Sequence, residues 1–224
     1  MPGRTGRGLR IAVVDTGVHP NHPHIAGIER SVAFDQSGAP YDDAVDRVGH
    51  GTAVAAAIHE KAPEAALLAV RIFDRGLVTT GAALLAALRW SIDAGVDLIN
   101  LSLGMDSQTP GLKTRGSINE LIADATARRI VIVAAAPTAE HEWLPGALPG
   151  VIGVELDWTC ARDECVAYGR ADGGIRVRAS GFPRPIPGVD PERNVKGQSF
   201  AVANVTGLLA LAFEGTGDRD LLGG

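Results

Sequence analysis

Three residue types able to carry out acyl transfer stand far apart in this chain: an aspartate at 15, a histidine at 50 and a serine at 199. Serine is a poor nucleophile unless a base takes its proton, and the base must be oriented, and its cation stabilised, by a carboxylate. Asp15 closes the apolar run "IAVVD", His50 sits between glycines in "VGHGT", and Ser199 opens the apolar stretch "SFAVANVTG". Each has a plain structural alternative. A strand-end aspartate commonly makes a turn, a histidine between glycines is often exposed, and a serine at a helix start commonly caps a backbone N–H. The chemistry requires all three to meet, and that depends on the elements carrying them.

Strand and helix patterns alternate. Residues 9–17, 65–74, 96–104, 130–137, 150–156 and 173–181 read as short apolar strands. Residues 51–62, 79–95, 117–129 and 199–215 read as helices, with threonines at the start of the second and basic residues in the last turn of the third. The alternation predicts an α/β fold: a mostly parallel, twisted sheet, right-handed crossovers and helices on both faces. In such sheets ligands bind beyond the carboxyl ends of the strands. This topology can gather Asp15, His50 and Ser199 on that edge, and a helix N-terminus there offers N–H donors to developing negative charge.

Composition narrows the class. The 224 residues fit one domain, and 46% hydrophobic with 21% charged residues describes a globular chain. Aromatics are only 4%, so the core must be built from Ala, Val, Leu and Ile. A net charge of −5 weighs against a nucleic-acid partner. No apolar run reaches the roughly 18–20 residues that cross a bilayer, and "IAVVDTG" is too short and too acidic for a signal-peptide core. The expectation is therefore a cytoplasmic single domain over residues 1–224, without a membrane partner, with a basic solvated tail at 1–8 and a C-terminal tail at 216–224. Cys160 and Cys165 lie in "CARDEC", where a local disulfide, a free pair and a share in a metal site are all open; free thiols are favoured, since two cysteines define no disulfide framework. His19, His22 and His24 cluster in "HPNHPHI", but Pro20 and Pro23 break helical spacing, so a solvated loop is expected rather than a zinc site. No metal ligands and no cofactor are assigned.

With these residues in view, the sequence resembles the subtilisin-like serine proteases. "VVDTGV" (13–18) resembles the family's aspartate motif, "GHGTAVA" (49–55) its histidine motif and "GQSFAVANVTG" (197–207) its serine motif. "INLSLG" (99–104) is similar to the strand that binds substrate backbone, and "LPGALPGVIGV" (144–154) to a wall of the primary specificity pocket and the strand after it. The order Asp, His, Ser is the one known for subtilisin. The resemblance implies a three-layer subtilisin-like α/β fold and a serine endopeptidase. Ser199 would be the nucleophile, His50 the general base and then acid, and Asp15 the residue orienting His50. Ser102, Leu103 and Gly104 would pair with an extended peptide, and Leu144, Pro145 and Gly146 would border the primary pocket. The partner is then a peptide or protein substrate.

The chain departs from the family at defined points. Where the family carries Gly-Asn, with the asparagine amide donating to the oxyanion, this chain has Pro137 and Thr138. Thr138 is accordingly the candidate oxyanion donor through its hydroxyl. Gln198, Phe200 and Ala203 replace the family's Thr, Met and Pro. Glu140 and Glu142 in the short loop before Leu144 suggest a preference for basic or polar residues near the cleaved bond. Structural calcium is common in the family, but no ligands are assignable here. Asp15 lies close to the start of the chain, so the expectation is a minimal protease that folds without a pro-region. An enzyme active on folding needs restraint from narrow specificity, low intrinsic activity or a regulatory partner, and maturation of a precursor peptide fits that need. The contrasting reading is a non-catalytic relative that keeps the groove as a peptide-binding module.

Overall fold

A computed structural model describes residues 1–73, 79–102, 104–106, 112–171 and 173–215. Leu103 and the tail at 216–224, both named above, lie outside the described residues. In chain order the elements are β1 (Arg10–Asp15), β2 (Arg30–Phe34), β3 (Pro40–Tyr41), α1 (His50–Lys61), β4 (Ala66–Arg71), α2 (Gly81–Asp93), β5 (Leu98–Leu101), β6 (Met105–Asp106), α3 (Leu112–Ala127), β7 (Val131–Ala135), β8 (Trp143–Leu144), β9 (Val151–Leu156), β10 (Cys165–Gly169), β11 (Ile175–Ala179) and α4 (Gln198–Phe213). Nine strands form one sheet in the order β10-β11-β9-β7-β5-β1-β4-β2-β3. The seven strands from β11 to β2 run parallel, and β10 and β3 close the two edges antiparallel.

The central parallel strands β1, β4, β5 and β7 are buried on both faces, as continuous runs such as "IAVVD" and "VIVAA" require. One face packs on α1 and α4 through Ile11, Val13, Ala55, Ile58, Val133, Val154, Val202 and Val205. The other packs on α2 and α3 through Ala12, Val14, Leu84, Leu88, Ile99, Ile118 and Ile122. A fully buried Leu, Ile or Val side chain contributes roughly 1.5–3 kcal/mol, so these two layers hold the helices firmly against the sheet. The packing of α1 on α4 relies on small residues: a Cβ on Gly207 would come within 2.9 Å of the Lys61 Cβ.

Two expectations need correction. The basic opening stretch is no solvated tail. Arg4 donates to the carbonyls of Leu211 (3.0 Å) and Ala212 (2.8 Å) at the C-terminal end of α4, where a cation complements the helix dipole. The backbone N–H groups of Thr5 and Gly6 donate to Glu214 Oε2 at 2.5 and 2.8 Å. Strands β2, β3, β6, β8 and β10 were also not anticipated. β3, β6 and β8 have two residues each, β10 is exposed along its whole length, and β2 is buried only from Val32 to Phe34, so none carries the long apolar run that marks the other parallel strands.

Candidate active site

β1 ends at Asp15 on the carboxyl edge of the sheet, and α1 begins at His50 beside it. The two elements meet closely because Gly51 has no side chain: a Cβ there would stand 2.2 Å from the Gly17 carbonyl and 3.1 Å from Asp15. His50 Nδ1 lies 2.7 Å from Asp15 Oδ1. Asp15 is fully buried and the His50 side chain 18% exposed. Asp15 Oδ1 also accepts from the Thr16 N–H at 2.7 Å, while Oδ2 is buried without a partner. Burial pushes the His50 imidazole down, but the hydrogen bond and charge of Asp15, with Asp46 behind it, outweigh burial and raise it above the ordinary histidine value.

Asp46 was not singled out in the sequence, and it organises this corner. Its Oδ1 accepts from Thr16 Oγ1 (2.9 Å) and the N–H groups of Val48 (2.9 Å) and Gly49 (2.8 Å). Its Oδ2 accepts from the N–H (2.8 Å) and hydroxyl (2.6 Å) of Thr52. Burial opposes its charge, yet these donors hold its carboxyl below the usual aspartate range. Thr16 Oγ1 in turn accepts from the Gly51 N–H at 2.9 Å. One carboxylate therefore ties the residue after Asp15 to the first turn of α1, which carries His50. The signal was present: an aspartate just before a helix start is a residue type that satisfies the free N–H groups there.

Ser199 lies in the first turn of α4, after Gly197, whose φ of 149° suits glycine. Its hydroxyl donates to the Ser102 carbonyl at 3.2 Å. The ring of Phe200 stands 5.9 Å from that of His50, centroid to centroid. Gln198, the replacement for the family's threonine, donates through Nε2 to the carbonyls of Ala136 and Val154, both at 3.0 Å, and so pins the start of α4 to the ends of β7 and β9. Asn100, buried at the centre of β5, reaches Ser102 Oγ (2.8 Å) and accepts from Thr206 Oγ1 of α4 (3.0 Å). Asp15, His50, Ser199 and Ser102 thus come to one edge.

The remaining candidates are placed less simply. Gly104 is half-buried, and a Cβ on it would meet the Trp143 Cβ at 2.8 Å. Beyond it β6 pairs antiparallel with β8, Met105 opposite Leu144. The Leu144 side chain is wholly buried in the core, and a Cβ on Gly146 would lie 1.8 Å from the Ala135 carbonyl. Pro145 follows a cis peptide bond and is buried. Leu144, Pro145 and Gly146, expected to border the primary pocket, are thus all buried, with the side chain of Leu144 turned into the core. Exposed Thr138 accepts on Oγ1 from the N–H groups of Glu140 (3.3 Å) and His141 (3.1 Å), which closes its own loop. Of the two glutamates expected to draw basic substrates, Glu142 contacts Arg115 at 3.4 Å. Cys160 and Cys165 are free thiols. Among the described residues no group of three or more His, Cys, Asp or Glu side chains stands together to hold a metal ion, and no helix is long and apolar enough to cross a membrane.

Comparison with known proteins bears on this geometry. The sequence pattern of the subtilase family matches residues 6–154. Serine protease AprX of Bacillus subtilis (strain 168) is 30% identical over 169 residues, covering 66% of this chain and 37% of AprX. The first three curated relatives are spanned over only 37%, 20% and 52% of their own lengths. A cold-adapted subtilisin-like serine proteinase superimposes with a TM-score of 0.70 at 21% identity, over 96% of this chain and 78% of that one. Prenylagaramide maturation protease PagA does so with a TM-score of 0.65 at 24% identity, over 91% of this chain and 74% of that one. At these identities the structural likeness speaks for the fold.

Proposed function

The chain belongs to the subtilase family, and from that premise we propose that it is a serine endopeptidase working through Asp15, His50 and Ser199. The observation that carries the reading is the 2.7 Å contact of His50 Nδ1 with Asp15. A carboxylate only accepts, so it fixes the imidazole proton on Nδ1 and leaves the Nε2 lone pair for a hydroxyl. Rotation of Ser199 about χ1 exchanges the Ser102 carbonyl for that lone pair. Ser199 Oγ then bonds to the scissile carbonyl carbon, and its proton passes to Nε2. The charge on the carbonyl oxygen faces the free N–H groups of the first turn of α4. Thr138 is a second donor in this scheme, because its oxygen accepts from the loop while its own proton remains available. His50 next protonates the leaving amine, and water opens the acyl-enzyme by the same steps. Ser102, Leu103 and Gly104 pair with the extended substrate backbone.

The finer form of the proposal is an intracellular protease of narrow specificity that processes a precursor peptide. Its support is the inward packing of Leu144 and Gly146, which argues for a shallow primary pocket, and the engagement of Glu142 by Arg115. The competing reading, a peptide-binding module, draws on the Ser199 hydroxyl being turned to the Ser102 carbonyl.

Labelling with a fluorophosphonate, read by intact mass, separates the two. One adduct on Ser199, absent in Ser199→Ala and strongly slowed in His50→Ala, supports the enzyme. No adduct at any pH from about 6 to about 9, a range that brackets the ordinary histidine value of about 6.5, supports the module. Cleavage profiling on a diverse peptide library then tests the narrow specificity.

A further inference from the structure

A cavity of about 610 Å³ opens beside the candidate active site, a size typical of ligand sites. One wall is the residues leading to and starting α1, with Val48, Gly49, Ala53 and Ala56; a second is the chain from Pro183 to Val195, with Ile186; His19, His22, Pro23 and His24 form the third. The first wall runs directly into His50 and the second, through Lys196, Gly197 and Gln198, into Ser199. Its lining stops at Gly49 and Val195, short of His50 and Ser199, and neither Ser102, Gly104 nor residues 143–146 line it. The groove therefore lies between the two segments that deliver the base and the nucleophile, apart from the β5 end where substrate backbone pairs.

Its lining is largely apolar, yet Val48, Ile186 and Val195 are 43%, 44% and 59% exposed. Exposed apolar side chains gathered around one cavity mark a binding surface. The rim is basic. The Arg184 guanidinium donates only a long 3.5 Å bond to the His24 carbonyl and meets no carboxylate among the described residues. The nearby acids are already engaged: Asp46 by its five donors, and Asp43 by Arg47 at 2.8 Å.

We infer that this groove takes the substrate chain on the leaving side of the scissile bond, and that it selects an apolar side chain with an acidic one next to it. The inference rests on the protease reading. A chain paired along Ser102 to Gly104 and crossing Ser199 has to continue past His50, and the groove is the continuation. Ile186 and Val195 cover the apolar side chain, and Arg184 pairs with the carboxylate.

Capture of an acyl-enzyme reads this site without knowledge of the primary specificity. An activated acyl ester acylates Ser199; an added amine, seated in the groove, attacks the acyl carbon, the Ser199 Oγ–acyl bond breaks, and the amine's proton returns to Oγ through His50. The amines are Gly-Leu-Glu, Gly-Glu-Leu and Gly-Ser-Lys amides. The better of the first two is expected to capture about fivefold or more over Gly-Ser-Lys, as partial burial of one leucine permits. The advantage of Glu is lost in Arg184→Gln, that of Leu falls in Ile186→Ser, and hydrolysis of the ester itself is unchanged in both. Equal capture of all three amines, or a preference unmoved by both variants, overturns the groove. Binding of the same peptides, fluorescein-labelled, to Ser199→Ala protein reads the groove without turnover. Equal affinities there overturn it even if the ester is not hydrolysed, whereas a preference without hydrolysis overturns only the protease reading.

Discussion

The imidazole of His50 must be neutral to take a proton, and Asp15 and Asp46 both favour its charged form. Activity should then rise with pH through a midpoint above the ordinary histidine value of about 6.5. The charged groups bearing on the ring are Asp15 from β1 and Asp46 from the segment before α1; Phe200 on α4 is neutral. Asp46→Asn removes one of these charges and sets an amide against the Thr52 N–H. It is expected to move the acid limb of kcat/KM to lower pH and to reduce kcat by between about 10- and 100-fold through displacement of His50. A kcat/KM–pH series on both proteins decides this, and an unmoved acid limb would show that Asp46 acts on packing alone. The three residues proposed to do the chemistry were legible because each chemical type sits at a strand end or helix start. Asp46 and Asn100 were not, since a single aspartate or asparagine has many roles and only the fold shows that five donors, or a serine and a threonine, converge on it. Thr138 was legible as a position but not as a conformation: its hydroxyl oxygen serves its own loop.

The four helices and six of the seven parallel strands were readable from apolar runs and helical spacing, because burial on both faces leaves little freedom for polar residues there. Edge strands such as β10 "CVAYG" escape that logic, as solvent tolerates any residue along them. At the element scale the tight contact of α1 with α4 has a measurable consequence. The ammonium of Lys61 is 8% exposed and donates to Asn204 Oδ1 at 2.6 Å. Burial, helped by Arg162, lowers its pKa to about 8. The unfolded chain holds this proton to about 10.4. Between these values the unfolded state binds more protons, so stability rises with pH across the window and the cost is full below about 8. Denaturant titrations at pH steps from about 7.5 to 10.5 should show wild-type protein gaining about 2–4 kcal/mol relative to Lys61→Met, in which the slope disappears. Parallel pH profiles for the two proteins would mean that Lys61 keeps its proton by moving into solvent.

Across the whole molecule, the parallel sheet gathers Asp15, His50 and Ser199 at one edge and leaves the opposite edge for structural closure. There Arg4 caps the last carbonyls of α4 while Glu214 receives the N–H groups of Thr5 and Gly6. Glu214→Ala leaves those donors without their acceptor at a cost of about 1–3 kcal/mol. For a domain of this size that lowers Tm by roughly 2–4 °C per kcal/mol, and kcat/KM should be unchanged. Calorimetry and a standard turnover assay check both halves, and a variant that melts with wild type would show that the first residues dock without contributing stability. The site's dependence on distant pieces of chain was readable only as order along the sequence; which edge closes the molecule was not. Residues 4–7 and 211–214 lie side by side, about 20 Å of helix away from Ser199. For anyone wishing to tether this protein to a bead, the attachment point is thereby given: a cysteine placed at the exposed Arg7 anchors the molecule by its back, and the cleft stays open to the bulk.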